Sequence, residues 1–440
     1  MLFIFTAILA LIAWIKPYYG LMDDAQHLFS SLPRIQEQGL FGFSKTFVQA
    51  DLAWGMFRPL YPAMVMGLYS VGTSLGPVLF FIVNAVVVFF LLYLIAITFE
   101  KWLGLDRWHM VLAMMAFPYT YDLFQHPSLQ EKLVYLFGAL ALLTIPRDKS
   151  LSTKNFGLLL VWISLGFCSK TSFLIYTPLV FLALLSTLNL KQVQGRVFLL
   201  ITSLWMAGWI LFLGKVAAHG QYTRSGYSFS HILPNFQRPS ILLIAGVTVA
   251  GLFFQLRRKP WHAKVWMPLS GLAAFLVLFM PWEIAGYLFS LISPLIAAAV
   301  LQLTGGLPKR QQVATTGILA VLALFLLYSR PYLMFHRLHD IRSLIEATSN
   351  LQAKGIKNIV VPCLEGRDSI RDYLKNQAPF NFPMETDGLN WQDTVVFADK
   401  KMCPYLPSAK ALSHVGCREI VHMPSGASGG FQVIGYQCGS

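Results

Sequence analysis

The chain has 440 residues, of which 56% are hydrophobic and 12% charged, with a mean hydropathy of +0.58. A soluble protein of this size needs roughly twice that charge to cover its surface, which excludes an ordinary soluble fold. The net charge of +14 does not point to nucleic acid: the excess lies in short loops between apolar blocks, and no basic stripe is interleaved with exposed aromatics.

Apolar blocks fall near residues 1–16, 60–76, 78–99, 107–118, 131–146, 156–169, 172–188, 197–214, 241–256, 265–280, 284–303 and 313–329. In lipid such runs satisfy their backbone only as helices. Several are shorter than the ~20 residues of a perpendicular span. The first block reaches Lys16-Pro17 with no basic start and no small-residue cleavage pattern, which predicts an uncleaved first helix. No Asn-x-Ser/Thr sequon occurs, which favours a bacterial inner membrane over a secretory lumen.

Loop charge assigns the sides. Lys101 with Arg107, Arg147 with Lys149 and Lys154, Lys191 with Arg196, Arg257 to Lys259 with Lys264, and Lys309 with Arg310 make 13 basic residues. Only 3 acidic residues share those loops (Glu100, Asp106 and Asp148), so they are predicted to be cytoplasmic. Alternation then places 17–58, 119–130, 215–240, 281–283 and everything after Arg330 outside. An odd number of crossings must separate 17–58 from Lys101, yet two blocks intervene. Block 60–76, with Pro59 and Pro62 at its start, is therefore read as a re-entrant or juxtamembrane helix. A cytoplasmic 17–58 with an external N-terminus is the competing topology.

The tail differs. It holds 12 basic and 10 acidic residues, strand-like runs at 358–361, 394–397 and 431–436, and helical patterns around 335–353 and 366–376. Four of the five cysteines (Cys363, Cys403, Cys417 and Cys438) fall here and suggest two disulfides with three open pairings, while Cys168 lies in an apolar segment. The expected fold class is an all-α polytopic membrane protein of about 11 transmembrane helices plus the re-entrant or juxtamembrane one. A small C-terminal α/β extracytoplasmic domain completes it. The domains are 1–329 (transmembrane) and 330–440 (extracytoplasmic).

Polar residues at the external face are the candidates for chemistry. Asp23-Asp24 follow the first helix directly; one carboxylate suits a general base with the other orienting it or binding a cation, and an acidic helix cap is the plainer role. Arg58, among aromatics at Pro59-Leu60-Tyr61-Pro62, offers a planar donor fork to a phosphate, or anchors at the interface. In the second loop Glu131 and Lys132 open a helix, where charge usually faces a cavity or a partner. Asp122 and His126 read as ordinary loop residues unless such a cavity exists. Lys170, in Gly166-Phe167-Cys168-Ser169-Lys170, suits phosphate neutralisation or snorkelling. The loop 215–240 carries His219, Tyr222, Arg224, Tyr227, His231 and Arg238, a mix suited to sugar binding or a lid. Glu283 stands alone in Pro281-Trp282-Glu283.

The order of these motifs resembles the polyprenyl-phosphate-dependent glycosyltransferases of GT-C fold, which include protein O-mannosyltransferases and lipid A aminoarabinose transferases. The resemblance rests on Asp23-Asp24 after the first helix, Arg58-Pro59-Leu60-Tyr61-Pro62, Glu131 opening a helix, and Gly166 to Lys170 between two short helices. It covers roughly residues 1–190. Asp-Asp stands where the family more often has Asp-Glu, and Arg58-Pro59 where it often has His-Pro-Pro. The resemblance implies transfer of a sugar from a polyprenyl-phosphate donor to a lipid, glycan or protein acceptor, with inversion. Asp23 or Asp24 would be the base; Arg58, Lys170 and Arg224 would hold the donor phosphate; Glu131 and Asp122 would form a second acidic group for acceptor or metal. A divalent cation (Mg or Mn) is compatible with this and not required. Competing functions are a transporter or flippase for a lipid-linked substrate, a glycan polymerase or ligase, and a non-catalytic envelope assembly protein.

Overall fold

The architecture is that of a computed structural model, described for residues 2–19, 27–147, 150–220, 228–257, 266–281, 286–305, 309–360, 393–399, 418–423 and 433–437. Its helices follow the apolar blocks closely. In chain order they are α1 (Leu2–Ile15), α2 (Leu32–Trp54), α3 (Tyr61–Leu103), α4 (Arg107–Met115), α5 (Asp122–Gln125), α6 (Glu131–Thr144) and α7 (Thr153–Ser169). Then come α8 (Thr177–Thr187), α9 (Val193–His219), α10 (Ile232–Phe236), α11 (Pro239–Arg257), α12 (Met267–Phe279), α13 (Ser293–Thr304) and α14 (Lys309–Ala353).

Local chemistry sets the ends. The Asp106 carboxylate accepts from the backbone N–H of Trp108 (3.0 Å) and His109 (2.9 Å) and so starts α4. Those bonds hold its carboxyl below the usual aspartate range. At the same end Lys101 Nζ donates to the carbonyls of Leu143 (2.8 Å) and Ile145 (2.6 Å), closing the C-terminus of α6 with a cation. Within α3, Gly76 adopts φ 76° and ψ 170°, a conformation that favours glycine, and Pro77 follows. This break falls between the two blocks expected at 60–76 and 78–99. Most of the segment expected as the first external loop is instead helical: α2 is 23 residues long and bends at Gly39. Its few apolar side chains were too sparse to stand out from a loop, yet Leu32, Ile35 and Phe43 are buried.

Among the described residues, three helical stretches are long and apolar enough to cross a membrane: Tyr61–Leu103, Val193–His219 and Arg310–Leu333. Five shorter apolar helices of 10–17 residues accompany them, and the pair Phe229–Phe236 and Pro239–Phe253 is bent by 86°. The chain is thus a multi-pass, mainly helical membrane protein. Fully buried Tyr69, Phe80, Phe81, Tyr135, Phe167, Phe173 and Tyr176 pack the centre, while Leu200, Leu204, Leu211 and Val249 stay exposed. In lipid, outward apolar faces are the expected arrangement.

Helix α14 is 45 residues long and passes Arg330 without a break, so the expected 329/330 boundary lies inside a helix. Beyond it, β1 (Asn358–Val360), β2 (Thr394–Asp399), β3 (Arg418–Met423) and β4 (Val433–Gln437) form a sheet of order β1-β2-β4-β3. Strands β1 and β2 are parallel, with Ile359 opposite Val395; β4 runs antiparallel to both β2 and β3. Three of the strands lie on the runs read from sequence, and β3 was not anticipated. Cys363, Cys403, Cys417, Cys438 and the helical pattern at 366–376 lie outside the described residues. Cys168 is a free thiol.

Candidate active site

A cavity of about 500 Å³ opens where α2, the start of α3, the 126–131 turn and the end of α7 meet. Three residues predicted from sequence line it together: Arg58, Glu131 and Lys170. One backbone bond explains much of the convergence. The amide of Leu60 donates to the carbonyl of Cys168 (3.4 Å), tying the Arg58-Pro59 turn to the Gly166–Lys170 segment. Gly166 permits the close return of the chain: a Cβ there would lie 2.3 Å from the Phe173 ring, which is itself fully buried. Lys170 is thereby left extended between α7 and the 3₁₀ turn Thr171–Tyr176.

Arg58 and Lys170 each have a resident carboxylate. Arg58 makes a two-pronged pair with Asp51, Nη2 to Oδ1 at 2.6 Å and Nε to Oδ2 at 2.9 Å. Its guanidinium also lies 5.6 Å from the Phe47 ring centre and 5.4 Å from that of Tyr61. Lys170 Nζ donates to Glu131 Oε1. Glu131 is fully buried, whereas the Lys170 side chain keeps 19% exposure. The second carboxylate oxygen of Glu131 is buried and accepts no hydrogen bond among the described residues.

Three further residues complete the wall. His27 is buried; its Nε2 shares a hydrogen bond with the Tyr61 hydroxyl, and its Nδ1 lies 3.2 Å from Ser31 Oγ. His126 stands exposed at the rim. Arg34, also exposed, lies against the Phe43 ring at 5.5 Å and has no carboxylate partner among the described residues. Lys132 does not reach the cavity; its Nζ donates to the carbonyls of His126 (2.8 Å) and Pro127 (2.9 Å) and fixes the turn that carries the rim. The Asn84 side-chain amide holds the preceding stretch through Leu123 (3.1 Å) and Phe124 (2.8 Å) carbonyls. With Asp51 counted beside the lining, Arg34, Arg58 and Lys170 stand against Glu131 and Asp51, a net excess of one positive charge suited to an anion.

Other sequence candidates fall elsewhere. Asp122 is not in the cavity lining; it is half-buried near Arg330, and burial pushes its carboxyl up to about 7 against the opposing pull of that guanidinium. Asp23, Asp24, Tyr222, Arg224, Tyr227 and Glu283 lie outside the described residues. His231 and Arg238 flank α10 and are not part of the cavity. Among the described residues no group of three His, Cys, Asp or Glu gathers to hold a metal, so the donor set for Mg or Mn is not assembled by them. Sequence reasoning missed Asp51, Arg34 and His27 as site residues. Asp51 alone offered a signal, as the nearest carboxylate before Arg58.

With this geometry in hand, the chain can be set against solved proteins. ArnT from Cupriavidus metallidurans bound to undecaprenyl phosphate matches with a TM-score of 0.53, covering 100% of this chain and 98% of that one. The whole length is shared. The chain has the fold of ArnT. The same enzyme in the apo state gives a TM-score of 0.54 over 99% of this chain and 97% of the other. Identity to ArnT is 12% in both cases, low enough that the likeness speaks for the fold and not for individual side chains. No family model matches the sequence, and no curated protein does.

Proposed function

We propose that the chain is an inverting glycosyltransferase of the inner membrane, moving a sugar from a polyprenyl-phosphate donor to an acceptor hydroxyl on the extracytoplasmic face. The observation that carries this reading is the meeting of Arg58, Glu131 and Lys170 in one cation-rich cavity within a GT-C fold. ArnT in complex with undecaprenyl phosphate supports a polyprenyl phosphate as the lipid carrier. A cavity of about 500 Å³ falls within the usual range of small-ligand sites.

In this mechanism the acceptor oxygen attacks the anomeric carbon from the side opposite the phosphate. The carbon–oxygen bond to phosphate breaks, and the phosphate leaves with the electron pair. Positive charge builds on the sugar ring as in other glycosyl transfers. Asp23 or Asp24, a few residues before His27, takes the hydroxyl proton. Arg58, Lys170 and Arg224 stabilise the departing phosphate, joined by Arg34 at the mouth. Glu131 holds Lys170 in place and faces the acceptor side. The strand-bearing tail beyond α14 is an α/β domain on the same side of the membrane. The acceptor is a lipid, glycan or protein hydroxyl.

The test is transfer from a synthetic polyprenyl-phosphate sugar by purified Asp23→Asn and Asp24→Asn. At least one should lose about 100-fold or more in turnover. Wild-type rates in both would remove the base from this mechanism.

A further inference from the structure

Buried polar atoms without partners are rare, and each calls for an explanation. Among the described residues four side-chain atoms are in that state, and three of them gather in sequence about one ion pair. They are Oε2 of Glu131 itself, Oε1 of Gln130 before it, and Oγ of Ser172, two residues beyond Lys170. Gln130 and Glu131 line the cavity of the candidate active site; Ser172 does not. The backbone that carries the two is fixed. The Gln130 carbonyl accepts from the amides of Leu133 (2.9 Å) and Val134 (3.3 Å), which starts α6, and Lys132 pins the turn before it. With Lys170 and Glu131 paired, both spare oxygens are closed to solvent.

A carboxylate accepts about four hydrogen bonds and donates none, and an amide oxygen accepts two. Such oxygens on consecutive residues call for donors. A neutral donor fits best, because the Lys170 ammonium already supplies the positive charge at Glu131 and repels a second cation. Hydroxyl groups meet that description.

We propose that Gln130 and Glu131 form the subsite for hydroxyl groups of the transferred sugar, and that Lys170 and Glu131 part only for a ligand bearing both phosphate and hydroxyls. This rests on the glycosyltransferase reading of the site. The sugar lies between the phosphate and the acceptor, so a group beside Lys170 on the acceptor side is beside the sugar. A bare polyprenyl phosphate that draws Lys170 towards itself leaves the Glu131 carboxylate buried with neither counter-charge nor donor, a costly state. A glycosylated carrier draws Lys170 in the same way and gives Glu131 and Gln130 hydroxyl donors instead. The pair thus sets loaded carrier apart from spent carrier through the sugar, not through the phosphate that both carry.

Equilibrium binding to the detergent-solubilised full-length protein, without acceptor, measures this. The probes are a polyprenyl phosphate, its hexosyl and pentosyl phosphodiesters, and the same compounds with their sugar hydroxyls methylated. Wild type should bind at least one glycosylated carrier about tenfold more tightly than the bare one, the scale of a hydrogen bond to a charged group, and methylation should abolish the difference. Glu131→Gln should bind bare carrier more tightly than wild type, since its Lys170 is no longer held, and its preference for sugar should fall to about threefold or less. Equal weakening of both carriers would mark a structural role and overturn the subsite. Gln130→Leu, an apolar side chain of similar size, should lower the preference about threefold and carries the test if Glu131→Gln does not fold. Equal wild-type affinity for bare and glycosylated carriers, or an unchanged preference in the variants, would overturn the subsite and leave a carrier-binding glycosyltransferase in place. Failure to bind any carrier would remove both.

Discussion

Removing Lys170 alone should cost far more than removing both members of the Glu131–Lys170 pair. Glu131 is completely enclosed, so Lys170→Met strands a carboxylate with no solvent and no counter-ion. Breaking a buried pair from one side typically costs about 3–5 kcal/mol. Glu131→Gln takes the carboxylate from an ammonium that still reaches the cavity through 19% exposure, which lowers the cost to about 1–3 kcal/mol. The double variant removes both charges and should sit within about 2 kcal/mol of the parent. Unfolding titrations of the four proteins in mixed micelles give the cycle directly. The predicted order is Lys170→Met least stable, Glu131→Gln next, and the double variant closest to wild type. If the double variant equals the sum of the singles to within about 0.5 kcal/mol, the two groups act independently and the pairing argument fails.

Asp122 gives a pH signature. Its carboxyl is raised to about 7 in the fold against 3.8 for the free side chain, so the folded state binds the extra proton between those values. Its contribution to stability is therefore complete below about pH 4 and lost as pH rises towards 7, up to about 4 kcal/mol in total. Asp122→Asn should flatten the melting temperature over pH 5–8 and raise it at pH 8; parallel curves for the two proteins would contradict this. At Gly166, alanine would drive a methyl into the buried Phe173 ring at 2.3–2.5 Å, an overpacking cost of about 1–3 kcal/mol. Because the Phe173 amide donates to the Lys170 carbonyl (3.0 Å), the same change should also lower kcat/KM. Phe173→Leu in the same chain should restore both, and an absence of rescue would point away from steric displacement.

Much of this molecule is legible in its sequence, for identifiable reasons. Apolar runs cannot hide, since a helix in lipid needs them uninterrupted, and the blocks at 131–146 and 156–169 match α6 and α7 within a few residues. Arg58, Glu131 and Lys170 stood out because charge beside an apolar block demands a reason. Helix α2 was harder, being short of apolar residues and bent at Gly39, so its periodicity is diluted. Partnerships were beyond reach altogether. Glu131 and Lys170 are 39 residues apart, and no local pattern announces that two helix ends return to the same point. Arg34 shows the same limit, as a surface arginine in sequence that becomes a cavity residue only once α2 folds over α3.

The pairing of Arg58 with Asp51 and of Lys170 with Glu131 changes what occupancy means at this site. An arriving anion does not fill a vacuum of charge; it trades places with carboxylates already bonded, so only the difference between the two sets of bonds holds it. When it departs, the resident partners close back at once and the arginine and lysine never stand bare. In the proposed transfer, a carrier lipid that leaves after every cycle is better served by such an exchange than by an unopposed cationic trap.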